Sequence, residues 1–184
     1  MDHVPPRALF PKPKPANLIT VPCCIECNKE FSKDEEHFRN NISMIANFPN
    51  AREIWQATRR GYKRNPKMLT DIKARMIPVR AGKHVLAGLQ FDRRRTDRVL
   101  IKIAKGLFFH HTGSSFPVET IVETLHAQQI GHIEDLIRGL PFRGRWGVTF
   151  SYLGGVANDD PGVGMWILNF YVSQVFIVSF GATP

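Results

Sequence analysis

Apolar residues recur at helical spacing most clearly in the middle of the chain, where Val99, Ile103 and Leu107 fall on one stripe. Asp92 stands ahead of that stripe as an N-cap and Gly113 behind it as a stop, so the pattern predicts a helix from Arg93 to His110. A second stripe, Phe38, Ile42 and Ile45, follows Ser32 and the acids Asp34, Glu35 and Glu36. An N-cap with negative charge in the first turn predicts a helix from about Lys33 to Ala46. Pro49-Asn50 breaks the chain, and Asn50 is expected to cap a helix from Ala51 to about Tyr62. Further helices are expected over Pro66 to Met76, around Val118 to Gln128, and briefly near Ile133 to Leu140.

The period changes towards the C-terminus. Trp146 to Leu153, Gly164 to Tyr171 and Gln174 to Phe180 are β-branched and aromatic, with turn-forming residues between them. They predict two or three antiparallel strands. Val85 to Phe91 reads as a short strand or an irregular approach to the next element, and Asn17 to Val21 as a short strand. Residues 4 to 22 hold six prolines and exclude a regular helix. The fold class is α+β, with central helices, a small C-terminal antiparallel sheet and a small motif at the N-terminus.

Charge narrows the partners. Twenty-five basic against sixteen acidic residues leave +9, which favours nucleic acid, an anionic surface or an acidic partner. The stretch from Arg59 to Lys67 contains no acid. Such runs, with Arg93-Arg94-Arg95, are solvated helix faces unless they meet phosphate. Lys12, Lys14, Arg59, Arg60, Lys63 and Arg64 are the candidate contacts to DNA. The apolar run Met165 to Phe180 is interrupted by Asn169, Ser173 and Gln174 and is too short for a membrane span. No membrane partner is expected.

The three cysteines, Cys23, Cys24 and Cys27, lie together. Such a cluster suits metal in a reducing compartment better than a secreted disulfide framework. No apolar signal core is present, and a cytoplasmic location is expected. His37, His84, His126 and His132 have no partner pattern and are read as structural. His110-His111 is read as capping a helix end, because adjacent helical side chains diverge. Trp55, Trp146 and Trp166 are read as core.

The candidate chemistry lies at the start of the chain. Cutting a phosphodiester requires a base for water and positive charge for the leaving oxygen. His3 offers the base, and Asp2 and Asn28 offer hard oxygen ligands that suit Mg²⁺ or Mn²⁺. Asn17 is placed to hold the histidine segment. Asp2-His3, Asn17 and Cys24-Ile25-Glu26-Cys27-Asn28, in that order, resemble the HNH endonuclease motif of the ββα-metal superfamily, with Asn in the third place. The resemblance covers about a fifth of the chain. It implies His3 as general base, Asn17 as its orienting residue, and Asp2 and Asn28 as ligands to one catalytic divalent ion. It also implies structural Zn²⁺ on Cys24 and Cys27.

Family members with cysteines close that zinc site with two Cys-x-x-Cys knuckles and place a strand before the Asp-His pair. Here the ββα unit reads as partial. A second Cys-x-x-Cys is expected roughly 10 to 30 residues upstream, or in a homodimer that pools two pairs, since structural zinc takes four ligands. Residues 1–48 are thus an HNH-like motif, and 49–184 an accessory region of helices and sheet. The expected function is hydrolysis of DNA phosphodiesters. The alternative is an inactive nucleic-acid-binding or interaction protein that retains a truncated motif.

Overall fold

The N-terminal segment, kept out of helix by its prolines, forms two short strands in the computed structural model. These are β1 (Asp2–Val4) and β2 (Ile19–Val21), with a single 3-10 turn at Arg7–Leu9 between them. They pair antiparallel, Asp2 opposite Val21 and His3 opposite Thr20. Helix α1 (Ile25–Ile45) follows directly, then α2 (Pro49–Tyr62) and α3 (Pro66–Arg75). A hairpin of β3 (Met76–Ala81) and β4 (His84–Leu89) leads to α4 (Arg93–Thr112). The chain ends in β5 (Ile121–His126), β6 (Phe142–Trp146), β7 (Phe150–Val156), β8 (Gly164–Phe170) and β9 (Gln174–Gly181). The structure describes residues 1–46, 48–62, 66–116, 121–126, 137 and 139–181.

The best-signalled helix forms as expected. Asp92 Oδ1 accepts from the Arg95 N–H at 3.2 Å, and Gly113 closes the other end in the left-handed region at φ 70°. Val99, Ile103 and Leu107 are buried against the sheet and α1. Each such side chain removed from water contributes roughly 1.5–3 kcal/mol. Gly106 lets β1 lie on α4, because a Cβ there would stand 2.4 Å from Val4 Cγ2. The C-terminal strands form one antiparallel sheet in the order β5-β9-β8-β7-β6. Its inner face carries Phe150, Trp166, Phe170 and Phe180 into the core. Val4, Leu9 and Phe38 belong to the same cluster, so side chains on both sides of position 48 share one core. The Tyr171 hydroxyl donates to the Leu9 carbonyl at 2.7 Å and ties the proline-rich loop to the sheet.

Several expectations are corrected. α1 starts eight residues before Lys33, since Cys24 rather than Ser32 caps it. Asn50 lies inside the first turn of α2 and donates to Thr149 Oγ1 at 2.9 Å. The helix expected over Val118 to Gln128 is, over its described part, the strand β5, whose backbone bonds go to β9. The strand expected from Trp146 to Leu153 is two strands, turned at Gly147 with φ 58°. Among the described residues the sheet has five strands, not two or three. β3 carries Pro78, which a two-stranded ribbon tolerates. Of the short helix expected near Ile133 to Leu140 only residues 137, 139 and 140 are described, and His132 lies outside the described residues. Among the described residues no helix is long and apolar enough to cross a membrane.

Candidate functional site

Strand alternation sorts the first residues. Asp2 and Val4 turn inward and are buried, and His3 between them is half-buried. Asp2 meets α4. Its Oδ1 accepts from the His3 backbone N–H at 2.8 Å, and its Oδ2 pairs with Lys102 Nζ at 2.5 Å. The same ammonium bonds the Glu35 carboxylate on α1. All three side chains are 10–16% exposed. One cation thus sits between two carboxylates in a poorly solvated place.

Burial pushes the Glu35 carboxyl upward, against the pull of Lys102 and with the help of the Asp2 charge. Burial alone would lower Lys102, but the hydrogen bonds and charges of Asp2 and Glu35 outweigh it and raise its pKa. His3 lines a cavity of about 280 Å³ together with Asp2, Cys27, Phe31, Lys102 and Lys105. The Phe31 ring carries Arg98 and Lys102 at 5.0 and 5.1 Å from its centroid.

The cysteine turn begins α1. Cys24 is the cap residue, its sulfur accepting from the Cys27 N–H at 3.0 Å. It is joined to Cys27 as a disulfide, with Cα atoms 5.3 Å apart. Cys23 is free and half-exposed. The Asn28 N–H bonds the Cys24 carbonyl at 3.1 Å, and its side chain is exposed and does not line the His3 cavity.

Asn17 lies further off. It lines a separate cavity with Phe10, Asn50 and Trp146, and its carbonyl accepts from Trp146 Nε1 at 3.3 Å. The structure thus brings Asp2, His3 and Cys27 to one cavity and leaves Asn17 and Asn28 outside it. Lys12 and Lys14 are exposed on the proline-rich loop, and Arg59 and Arg60 are exposed near the end of α2. Lys63 and Arg64 lie outside the described residues.

Asp2 offers hard oxygen, but both its oxygens are engaged, one by an ammonium that repels a cation. Among the described residues no group of three or more His, Cys, Asp or Glu is placed to hold a metal. The arrangement as it stands fits neither the divalent ion nor a closed four-ligand zinc site.

Some polar residues acquire partners that the sequence does not announce. Arg95, expected on a solvated face, bonds Asp34 Oδ1 at 2.8 Å, His37 Nδ1 at 3.1 Å and the Lys33 carbonyl at 2.8 Å. Asp34 also pairs with Arg98 at 3.0 Å. His111, expected at a helix end, meets the Tyr152 hydroxyl at 2.7 Å and stacks on Phe142. Lys102 gives no signal beyond its place beside the apolar stripe of α4. The chain matches no protein-family model, no curated protein and no solved structure.

Proposed function

We propose that the chain is an endonuclease of the HNH type acting on DNA, with His3 taking the proton from the attacking water. The supporting observation is the order strand, strand, helix: Asp2-His3 lie on β1, β2 pairs with it, and Cys24 to Asn28 open α1. His3 stands half-buried on a cavity wall that also carries Lys105, a cation for an incoming phosphate. The overall charge of +9 draws the polyanion to the surface. In the reaction an imidazole nitrogen of His3 takes a proton as the water oxygen attacks phosphorus, and the bond to the leaving oxygen breaks. The resemblance assigns Mg²⁺ or Mn²⁺ the charge on that leaving oxygen. In the present arrangement both Asp2 oxygens are engaged, one by Lys102, and neither is free for the ion. This reading also sets the protein in the cytoplasm.

The test is nicking of supercoiled plasmid. Purified protein is expected to nick with Mg²⁺ or Mn²⁺, and His3→Ala, folded by circular dichroism, is expected not to. Equal nicking by the two proteins would remove His3 from the reaction. The Asp2–Lys102–Glu35 cluster favours a second reading, a protein that binds DNA and does not cut it. That protein binds with a steep salt dependence and gives no nicks with any divalent ion.

A further inference from the structure

Another side of α1 carries a second polar cavity, of about 350 Å³, lined also by α2, α3 and Arg95 of α4. Its wall is built from buried polar side chains: His37 is 8% exposed, Asn41 0% and Tyr62 6%. His37 Nε2, Asn41 Nδ2, Tyr62 Oη and Arg75 Nε are buried and have no hydrogen-bond partner among the described residues. Buried polar groups are ordinarily paired, so four orphans on the residues of one cavity call for a partner.

All four are donors. Arg95 Nη1 lies 3.1 Å from His37 Nδ1, and a guanidinium can only donate, so Nδ1 accepts and the imidazole proton sits on Nε2. Burial, with Arg95 and Arg75 nearby, pushes the His37 pKa down to about 4, which leaves the ring neutral. Burial pushes Tyr62 up to about 12, and its hydroxyl keeps its proton. Asn41 Oδ1 faces Arg75 Nη1 and Nη2, each at 3.4 Å, which turns the amide NH₂ the other way. Lys33 and Lys67 add positive charge, against Glu36, while Arg95 is paired with Asp34 and Arg75 Nη2 with Asp71 at 2.7 Å.

We infer that this cavity is a binding site for a phosphate monoester. Unpaired donors on the residues of one cavity, with a cationic surround, select a ligand made of acceptors and carrying negative charge, and a monoester offers three such oxygens. The volume suits a nucleotide-sized molecule rather than a bare ion. The same group is found on a free nucleotide and at the end of a nucleic-acid strand. The inference does not depend on the nuclease reading, since none of these residues lines the His3 cavity.

Isothermal titration of the full chain with AMP, adenosine, and 5′-phosphorylated and 5′-hydroxyl oligonucleotides tests it. AMP is expected to bind saturably and adenosine not at all. Preference for the phosphorylated oligonucleotide would extend the site to strand ends, and AMP binding without that preference would confine it to free nucleotide. Tyr62→Phe, which removes one donor, and Arg75→Lys, which keeps the charge and loses the Nε–H, are each expected to weaken AMP about tenfold or more. Should Arg75→Lys not fold, Tyr62→Phe alone carries the comparison. Absence of saturable AMP binding, equal binding of AMP and adenosine, or an unchanged affinity in folded Tyr62→Phe would each overturn the inference.

Discussion

Helix α1 carries two polar clusters on different sides, and they are solved in opposite ways. Towards α4, Glu35 and Asp2 share the ammonium of Lys102, so carboxylates and cation satisfy one another within the chain. Towards α2 and α3, His37, Asn41, Tyr62 and Arg75 keep donors that nothing among the described residues accepts. A charge buried with its counter-ion is a finished interaction, costly only when one partner is removed. A buried donor without an acceptor already carries its cost in the folded state. The paired side therefore belongs to stability unless something displaces Lys102. The unpaired side has capacity left for a ligand. Two residues of one helix, Glu35 and His37, both reach α4, through Lys102 and Arg95, and differ because His37 also lines the cavity shared with α2 and α3.

The largest expected effect comes from the paired side. Lys102→Met removes the cation that two nearly buried carboxylates share and is expected to cost about 3–5 kcal/mol in urea unfolding. Adding Asp2→Asn and Glu35→Gln to that variant should recover most of the loss, because the stranded charges go with the cation. A loss in Lys102→Met below about 1 kcal/mol would mean that solvent screens the cluster as it does a surface pair. The contrast between the two sides would then fall.

The next effect belongs to His37. Burial, then Arg95 and Arg75, hold its pKa down to about 4 from the usual 6.5, with Asp71 and Asp92 pulling the other way. Between those two values the unfolded chain binds a proton that the folded chain refuses. Stability due to the neutral ring is complete above pH 6.5. It declines as the pH falls and is gone once the pH has passed about 4. Each tenfold in proton affinity is about 1.4 kcal/mol, so the decline amounts to a few kcal/mol. Unfolding of wild type and His37→Gln across that range, in a phosphate-free buffer, isolates it, since the carboxylates titrate in both proteins. Parallel curves would mean that His37 is protonated in the fold like an exposed imidazole.

How much of this was legible in the sequence follows from where each signal lives. α4 could be read whole because its cap, stripe and stop are local: Asp92, Val99 to Leu107, and Gly113. The start of α1 could not, because its cap is a cysteine sulfur rather than one of the usual oxygen side chains. β5 read as helix because its strand state comes from pairing with β9, far along the chain. Asp2, His3, Cys24 and Cys27 stand out by residue type and spacing, and the fold does set Asp2, His3 and Cys27 around one cavity. Lys102 does not stand out, because it meets Glu35 across sixty-seven positions and its own neighbours are ordinary helix. The donors of the second cavity come from three helices with no motif among them, and only packing collects them.

The smallest expected effect is the one that separates the two sides most cleanly. Tyr62→Phe removes a hydroxyl that is buried without a partner and keeps the ring, which packs edge-on against Trp55 at 5.7 Å. On the paired side, taking one polar atom away strands another. Here no acceptor is left behind, and the folded state sheds an unsatisfied group whose burial costs about 1–3 kcal/mol in a protein interior. The variant, without added ligand, is therefore expected to unfold within about 0.5 kcal/mol of wild type or to be slightly more stable. Urea unfolding at neutral pH in a buffer free of phosphate measures it. A loss above about 1 kcal/mol would show that the hydroxyl is bonded within the fold after all, and the second cavity would then be as self-satisfied as the first. A near-zero change in stability, alongside a clear loss of AMP affinity, is a combination that a purely structural hydroxyl does not produce.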